Sequence, residues 1–494
     1  MSAMFLDLSQ VDWGLVGLIF AYFLNFLAVI GVVFVERRSQ TSAILWCIVL
    51  VILPVVGLVF YIFLGKGPSF GRKKKFLNKY YKDNTYCKEM ENQIRLISDR
   101  SHFPEELPAD VEQTADLIRY NLTFEGSLCS LYNRVRIYTD INEQYDEMFE
   151  DIKKAKSFVN VLYYIIQPDE SGERLRQALL DKAREGVHVR LVYDSMGGRH
   201  LYKEWFYELE DEGVEIVEFF PSKLRFFNLN VNYRLHRKIV VIDNLVGYMG
   251  GANIGDEYLG KQKKTRPWRD THLRLEGESV FLLNLRFMQD FNFAKGCDQE
   301  PQPFNPDCLK EAGQLPVQII SDGPDTAEGI IESCYIKAIY SARKRVWIQT
   351  PYLIPDEVFL EALKSAARSG IDVRIMIPGR PDKKFVYYCT LSYAAELAEA
   401  GCRIYKREGF IHSKTLLIDD NISSVGSFNI DIRSFKLNFE LTAFIYGTDF
   451  GRQMAEIYEA DIEKSVLYDM EAVRKRSLWQ RFKERLMRLA SPVF

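Results

Sequence analysis

One pattern of residues occurs twice in this chain and constrains its fold more than any other feature. A His is followed by a Lys two residues later, an Asp seven later and an Asn seventeen later, first at His236, Lys238, Asp243 and Asn253 and again at His412, Lys414, Asp419 and Asn429. The chain has only six His, so two of them sharing all three partners makes a chance match to a short motif improbable. The duplication predicts two copies of one structural unit, each supplying half of a shared site.

The segments before the two motifs repeat in the same order. Apolar runs rich in β-formers predict strands, and spaced apolar residues predict helices: strands at 158–166, 187–193 and 214–220 with a helix at 175–185, then strands at 345–352, 371–377 and 402–406 with a helix at 359–368. Strand, helix and strand at this spacing predict βαβ units with parallel pairing. GVHVRLVYD at 186–194 also matches GIDVRIMIP at 370–378. We therefore predict an α/β fold with halves at 131–295 and 316–470, joined by a Pro-rich linker at 296–315.

The N-terminus contains two charge-free apolar runs, at 13–35 and 43–65. As a helix, each would extend roughly 35 Å, which is enough to cross a bilayer. A signal peptide would need a basic start and an A-x-A site, and both are missing. Two buried core helices would need amphipathic partners. We predict a transmembrane hairpin over residues 1–70.

Basic residues flank this predicted hairpin unevenly. Two Arg lie in the connector between the runs, whereas the far side carries Lys66, Lys79 and the cluster Arg72–Lys75. The positive-inside rule then places the N-terminus and the large C-terminal part in the cytoplasm. The cluster is either a topology signal alone or also a contact for anionic head groups. The eight Cys include no C-x-x-C pair, which predicts a reducing compartment without disulfides or a zinc site.

Two flanking segments have simpler patterns. Residues 71–130 are polar and predict a helical connector. Residues 471–494 predict a basic amphipathic helix, because apolar residues recur every three or four positions with Lys and Arg between them. Such a helix either lies on a membrane surface or packs on the preceding domain with a solvated basic face.

The paired histidines indicate chemistry at phosphorus. One imidazole can attack a phosphodiester to form a phosphohistidine, and a second can protonate the leaving alkoxide. Two copies of one motif facing each other supply both groups, so His236 and His412 are the predicted catalytic pair. We favour His236 as the nucleophile, but His412 remains the alternative. The other four His have no duplicate and are predicted to be ordinary: His102, His188, His200 and His272.

The remaining motif residues are assigned by their positions relative to the histidines. Residues two apart on a strand share a face, so Lys238 and Lys414 join the histidines. With the amides of Asn253 and Asn429 they neutralise the phosphate oxygens, and we predict no metal or other cofactor. Asp270 and Glu440, each before an apolar strand, are predicted to hold the histidine tautomers. Asp243 and Asp419 point to the opposite face and are predicted to form turns or salt bridges.

On these residues the chain resembles the phospholipase D superfamily and, more narrowly, the bacterial cardiolipin synthases. The narrower resemblance is carried by segments along nearly the whole chain: YIFLGKGPSFGRKKK after the second apolar run, GGANIGDEY at 250–258, QTPYLIPD at 349–356, GSFNIDIRSF at 426–435 and the ending LASPVF. It implies two pseudo-symmetric phospholipase D-like α/β/α sandwich halves behind the transmembrane hairpin, with no metal. It also places Asp243 and Asp419 in the catalytic set in a supporting role.

The resemblance further implies an activity. A membrane-bound phosphatidyltransferase of the bacterial plasma membrane would make cardiolipin and glycerol from two phosphatidylglycerol molecules, through a phosphatidyl-histidine. Gly251 and Ser427, the residues before Ala252 and Phe428 in the two copies, are assigned to substrate binding. They differ, so a hydroxyl that can contact phosphate is present on one side only.

Four other functions compete with this activity. A phospholipase D-type hydrolase, or another phosphatidyltransferase, would use the same two-histidine site. A nuclease is disfavoured by the net charge of -3 and the predicted anchor, so no nucleic-acid partner is expected. A catalytically inactive scaffold is disfavoured by the two complete motifs. The sequence leaves open whether the chain forms a homo-oligomer.

Overall fold

A computed structural model describes residues 12–35, 40–61, 113–221, 233–261, 266–310, 312–324 and 329–489. The chain divides into two compact units, an N-terminal helical unit and a larger α/β unit that contains both motifs. The basic cluster 72–75, the Arg of the first connector and residues 71–112 of the predicted polar connector lie outside the described residues.

The described part of the N-terminal unit contains three α-helices, α1 (Trp13–Ile30), α2 (Gln40–Ile52) and α3 (Pro54–Phe60), and a π-helical segment, Gly31–Val35, directly after α1. Asp12 caps α1 by accepting hydrogen bonds from the amides of Gly14 and Leu15. The apolar segment 13–34 is long and apolar enough to cross a membrane. The second run is divided into α2 and α3, because Pro54 has no amide hydrogen with which to continue a helix. Among the described residues only the first helix has the required length, so the predicted hairpin is not confirmed.

The first half is a seven-stranded mixed sheet with helices packed on it. Its strand order is β2-β10-β8-β7-β3-β4-β5, with β3 parallel to β4 and β4 parallel to β5. The strands are β2 (Asn133–Tyr138), β3 (Phe158–Tyr163), β4 (His188–Asp194), β5 (Glu215–Phe219), β7 (Ile239–Ile242), β8 (Val246–Gly250) and β10 (His272–Gly277). The helices are α5 (Ile141–Lys153), α6 (Glu170–Arg184), α7 (Glu204–Asp211) and α8 (Glu278–Lys295).

The second half repeats this arrangement around a ten-stranded sheet. Its order is β1-β11-β20-β18-β17-β12-β14-β15-β21, and β6 pairs with β20. The strands are β1 (Cys129–Ser130), β6 (Arg234–Leu235), β11 (Val317–Asp322), β12 (Arg345–Gln349), β14 (Asp372–Pro378), β15 (Arg403–Arg407), β17 (Thr415–Ile418), β18 (Ile422–Gly426), β20 (Asn438–Tyr446) and β21 (Ser465–Leu467). The helices are α4 (Ala115–Glu125), α9 (Ile330–Ser341), α10 (Glu357–Arg368), α11 (Lys384–Glu399), α12 (Ile432–Lys436), α13 (Thr448–Glu463), α14 (Met470–Arg474) and α15 (Leu478–Leu489).

The two halves are joined by short strands and by a common core. Two separate pairs of two-residue strands complete the topology, β13 (Leu353–Ile354) with β19 (Ile430–Asp431) and β9 (Trp268–Arg269) with β16 (Phe410–Ile411). The β9–β16 pair and the β6–β20 pair each combine one strand from each half. One buried cluster also mixes both halves, for example Met249 and Phe287 with Leu417 and Met454. The halves are therefore packed into one body.

The predicted duplication into two α/β halves with parallel βαβ units is confirmed. Two details differ from the sequence analysis. Helix α6 begins at Glu170, earlier than expected, because the Asp169 carboxylate caps it rather than ending the preceding element in a turn. The end of the predicted connector, residues 115–130, forms α4 and β1, and β1 pairs with β11 of the second sheet. This end therefore belongs to the second half and is not a separate connector.

Candidate active site

Each motif histidine is placed by a strand from the other half. His236 follows β6, which pairs with β20, and the His236 amide donates to the Phe439 carbonyl at 2.9 Å. His412 follows β16, which pairs with β9, and its amide donates to the Arg269 carbonyl at 2.6 Å. The residue after each accepting carbonyl is a carboxylate. The fold thus brings each histidine beside an acid from the opposite half.

The histidine and carboxylate pairs are crossed between the halves. Nδ1 of His236 lies 2.9 Å from Oε2 of Glu440, and Nδ1 of His412 lies 2.6 Å from Oδ2 of Asp270. An ionised carboxylate accepts only, so each Nδ1 carries the proton and donates it. This fixes the tautomer that leaves Nε2 of each ring available to react. The sequence marked Asp270 and Glu440 as histidine partners, but it did not show that each serves the histidine of the other half.

Both imidazoles are neutral at pH 7. Burial is the largest cause, and together with Lys238 and Lys414 it lowers the pKa of each histidine to about 4, although the partner carboxylates act in the opposite direction. Burial raises the pKa of Glu440, but its contact with His236, the nearby Lys238 and the hydrogen bond from Ser427 bring that pKa below its usual value. The pKa of Asp270 is lowered in a similar way. The resting site therefore holds two carboxylates and two uncharged imidazoles with free Nε2 atoms.

The motif lysines are buried and lie with the histidines. Each ammonium donates to the carbonyl of the histidine two residues before it, Lys238 to His236 and Lys414 to His412. Burial lowers the pKa of Lys238 to about 7 and that of Lys414 to about 8. Each ammonium lowers the pKa of both histidines, which shows that the four groups are close together. A desolvated anion beside the two lysines would stabilise their charged forms.

The motif aspartates Asp243 and Asp419 do not join this group. The Asp243 carboxylate accepts from the amides of Lys156, Ser157 and Phe158 at 2.7–2.9 Å. Asp419 accepts in the same way from the three amides of residues 343–345. Both have positive φ, at 55° and 50°, so each lies in a turn. The turn expected from strand geometry is therefore present, and the supporting role that the resemblance assigns to both aspartates stays a prediction.

Gly251 and Ser427 contact carboxylates. A Cβ at Gly251 would lie 2.1 Å from Oδ1 of Asp270, so this position leaves room for the carboxylate beside His412. Ser427 donates its hydroxyl to Oε2 of Glu440 at 2.5 Å. In this structure the hydroxyl proton is used by the carboxylate, and the expected contact of Ser427 and Gly251 with substrate stays a prediction. The two acids are therefore accommodated differently. The missing side chain of Gly251 leaves room for Asp270, whereas the Ser427 hydroxyl donates a hydrogen bond to Glu440.

The two motif asparagines are also unequal. Asn253 accepts from the Ile165 amide at 3.2 Å and donates to the Tyr258 hydroxyl at 3.2 Å, so its amide is already used within the fold. The buried side-chain oxygen of Asn429 has no hydrogen-bond partner. Because an amide oxygen can only accept, this oxygen cannot hold a phosphate oxygen, and the predicted phosphate contact through the NH2 group of Asn429 stays a prediction.

Aromatic residues that the sequence analysis missed form the walls of the site. The Tyr164 ring lies edge-on to His236 at 5.1 Å between centroids, and the Trp268 ring lies 5.1 Å from His412. Their positions in the chain could have indicated them, since Tyr164 directly follows β3, which pairs with β7, and Trp268 lies two residues before Asp270. Each imidazole therefore has a large aromatic ring packed beside it.

Two buried arginines, also missed, support the site from behind. Arg237, between the motif His and Lys, donates to Asp290 and to the Glu440 carbonyl. Arg269 pairs with Asp461 at 2.9 Å. Each arginine anchors the backbone beside a histidine partner. Among the described residues no group of three or more His, Cys, Asp or Glu has the arrangement of a metal site.

Comparison with known proteins identifies close relatives. A family model described as "Cardiolipin synthase, PLD-like domain" matches residues 148–265 and 335–462, and a phospholipase D-nuclease N-terminal model matches residues 23–66. A cardiolipin synthase of Listeria innocua is 42% identical over 96% of this chain and 99% of its own length. The major cardiolipin synthase ClsA of Bacillus subtilis is 41% identical over 96% and 98%. A phosphatidylserine synthase structure from Haemophilus influenzae covers 76% of this chain and 100% of its own, with a TM-score of 0.57 and 16% identity, and shares the fold.

Proposed function

We propose, from the premise that this chain belongs to the cardiolipin synthase family with phospholipase D-like domains, that it joins two phosphatidylglycerol molecules into cardiolipin and releases glycerol. The observation that carries the proposal is the pair of crossed histidine–carboxylate contacts beside two buried lysines. That arrangement provides a nucleophile, a proton donor and a positive environment for one phosphodiester.

In the first step, Nε2 of one histidine attacks the phosphorus of phosphatidylglycerol. The bond from phosphorus to the glycerol oxygen breaks, and the other histidine donates a proton to that oxygen, so that glycerol leaves and a phosphatidyl-histidine remains. The attacking imidazole becomes cationic, and its partner acid stabilises it. We assign the attack to His236, whose Nδ1 proton is held by Glu440, and the proton donation to His412.

In the second step, a hydroxyl of another phosphatidylglycerol takes the place of glycerol. His412 removes its proton, the oxygen attacks phosphorus, and the N–P bond breaks to give cardiolipin and free His236. Lys238, Lys414 and the amide of Asn429 hold the non-bridging oxygens in both steps. The walls Tyr164 and Trp268 favour a lipid hydroxyl over water.

Proton supply follows from the pKa values. With a pKa of about 4, both histidines are neutral in the free protein at pH 7. An anionic phosphodiester between them raises both values, so the substrate enters together with one proton that the donor histidine carries. Binding of the substrate therefore also protonates the donor histidine, which is the state that the first step requires.

The apolar N-terminal helix fits a membrane enzyme, as does the lipid substrate. We propose further that the second apolar segment completes a membrane hairpin and that the α/β unit lies on the cytoplasmic face of a bacterial plasma membrane. The substrate is an anionic phospholipid, no nucleic acid takes part, and a homo-oligomer is compatible with the activity.

The test is to incubate the purified, reconstituted protein with phosphatidylglycerol alone and to measure lipids and glycerol. Cardiolipin and glycerol in equal amounts support the proposal, and phosphatidic acid as the main lipid product would transfer the assignment to a hydrolase. His236→Ala and His412→Ala should each abolish the product while the protein stays folded. Trapping labelled lipid on the His412→Ala protein but not on the His236→Ala protein identifies His236 as the nucleophile.

A further inference from the structure

The C-terminal helix α15 turns its apolar side away from the protein. Five large apolar side chains on it are between 45% and 84% exposed, and we call them the apolar stripe: Leu478, Trp479, Phe482, Leu486 and Leu489. At about 100° per residue they fall within one sector of roughly 100° on the helix. An amphipathic helix that only packed on its domain would bury this side.

The side that packs on the α/β unit is the opposite one. Glu484 is buried and pairs with Arg476 at 2.9 Å, Arg488 pairs with Glu396 of α11 at 2.5 Å, and Met487 packs against the core of the second half. On the helical projection this contact side is centred about 180° from the apolar stripe. The two alternatives for the tail are therefore combined, since the helix docks on the protein through a mixed polar side and leaves its apolar side uncovered.

Basic and aromatic groups line the edges of the stripe. Lys483 lies on one edge, with its ammonium 5.2 Å from the centre of the Trp479 ring, and Arg485 lies on the other edge. The rings of Trp479 and Phe482 are stacked at 5.6 Å. Leucines and aromatic rings flanked by long cationic side chains are the composition of helices that lie in the interface of an anionic bilayer.

We propose that the apolar stripe of α15 inserts into the surface of an anionic bilayer and orients the α/β unit toward its substrate. The inference rests on the proposed function for the source of that bilayer, the lipid substrate itself. Helix α11, on which α15 packs, connects the stripe to the site. It begins two residues after Asp382, whose carboxylate accepts from the Tyr352 hydroxyl at 2.6 Å and raises the pKa of Lys414.

Insertion can be tested by photocrosslinking with the full-length protein. Benzoyl-phenylalanine replaces Phe482 in one variant and Tyr340, which is 61% exposed on α9, in the matched control. Both are reconstituted in vesicles of phosphatidylglycerol and phosphatidylcholine and irradiated. Lipid crosslinks at position 482 should exceed those at position 340 by about fivefold or more, as expected for a side chain among acyl chains. Equal labelling at both positions, or a crosslinked dimer in place of lipid, overturns the inference.

A second measurement separates orientation from folding and from catalysis. The double variant Phe482→Glu, Leu486→Glu should lower the reaction rate on vesicles by about tenfold, because its charges oppose insertion. In detergent micelles, where no orientation is required, its rate should stay within about twofold of the unchanged protein. Tyr340→Glu should alter neither rate. An equal loss in vesicles and micelles would overturn the inference, and a protein inactive in every form would refute the proposed function while leaving the crosslinking result in place.

Discussion

Replacing Glu440 by Gln isolates the charge that supports His236. The carboxylate accepts from Nδ1 of His236 at 2.9 Å, from the Ser427 hydroxyl at 2.5 Å and from the Asn438 amide at 3.1 Å. A glutamine keeps the shape and can keep its oxygen toward His236 and Ser427. The NH2 group of the glutamine then faces Asn438. If the Asn438 amide rotates by half a turn, its side-chain oxygen, which has no hydrogen-bond partner, accepts from that NH2 group. The substitution Glu440→Gln therefore removes the charge and leaves the packing intact.

The size of the effect follows from the lost charge of the acceptor. A hydrogen bond to a charged group contributes about 1.5–3 kcal/mol and a neutral one about 0.5–1.5 kcal/mol, so the substitution costs about 1–1.5 kcal/mol. Each 1.4 kcal/mol in the barrier is about tenfold in rate. Because the imidazole carries its positive charge only along the reaction path, the loss should appear in kcat. We expect Glu440→Gln to lower kcat by about 5- to 12-fold with a small change in KM.

The assay measures initial rates of glycerol release and cardiolipin formation from phosphatidylglycerol, with the unfolding temperature as a check on the fold. Adding Glu440→Gln to His236→Ala should cost no further activity, since the carboxylate acts only through that ring. A kcat within threefold of the unchanged protein, with the fold intact, would show that the crossed pair is merely structural.

Three further predictions follow from the site. Gly251→Ala should lower kcat strongly, because its Cβ would displace the Asp270 carboxylate. Ser427→Ala in the matching position of the other half removes one of three hydrogen bonds to the Glu440 carboxylate and should lower kcat less, and equal losses would contradict the asymmetry. Asp243→Ala leaves three amides without an acceptor and should lower the free energy of unfolding by about 2–3 kcal/mol, measured by denaturation, with kcat of the folded protein unchanged. Lys238 has a pKa of about 7 and loses its charge as the pH rises; kcat/KM should therefore fall above that pH, and Lys238→Met should remove this limb of the pH profile.

The sequence predicted the parts of this protein that depend on local pattern. Alternating and spaced apolar residues located the parallel strands 158–163 and 188–194 and their counterparts 345–349 and 372–378. The motif spacing placed each lysine with its histidine, and the geometry of a strand separated Asp243 from them. These features extend over fewer than ten residues, so a repeat in the sequence is enough to reveal them.

The crossing of the site could not be predicted in this way. It depends on β6 and β16, which are two residues long and pair with partners far along the chain. No periodicity marks such short strands. The different surroundings of Asp270 and Glu440 likewise depend on which residue faces each carboxylate across the sheet, and the sequence showed only that Gly251 and Ser427 differ.

The crossed pairs also have a consequence for how the protein folds. A half folded alone would leave a carboxylate without the imidazole N–H that it accepts from, and leaving one buried group unsatisfied costs about 1–3 kcal/mol, and more for a charged group. The exchanged strands and the mixed core add to that penalty. Separate halves should therefore be poorly stable, and the α/β unit should unfold in one cooperative transition despite its internal repeat. Duplication has produced a protein whose copies are no longer independent folding units.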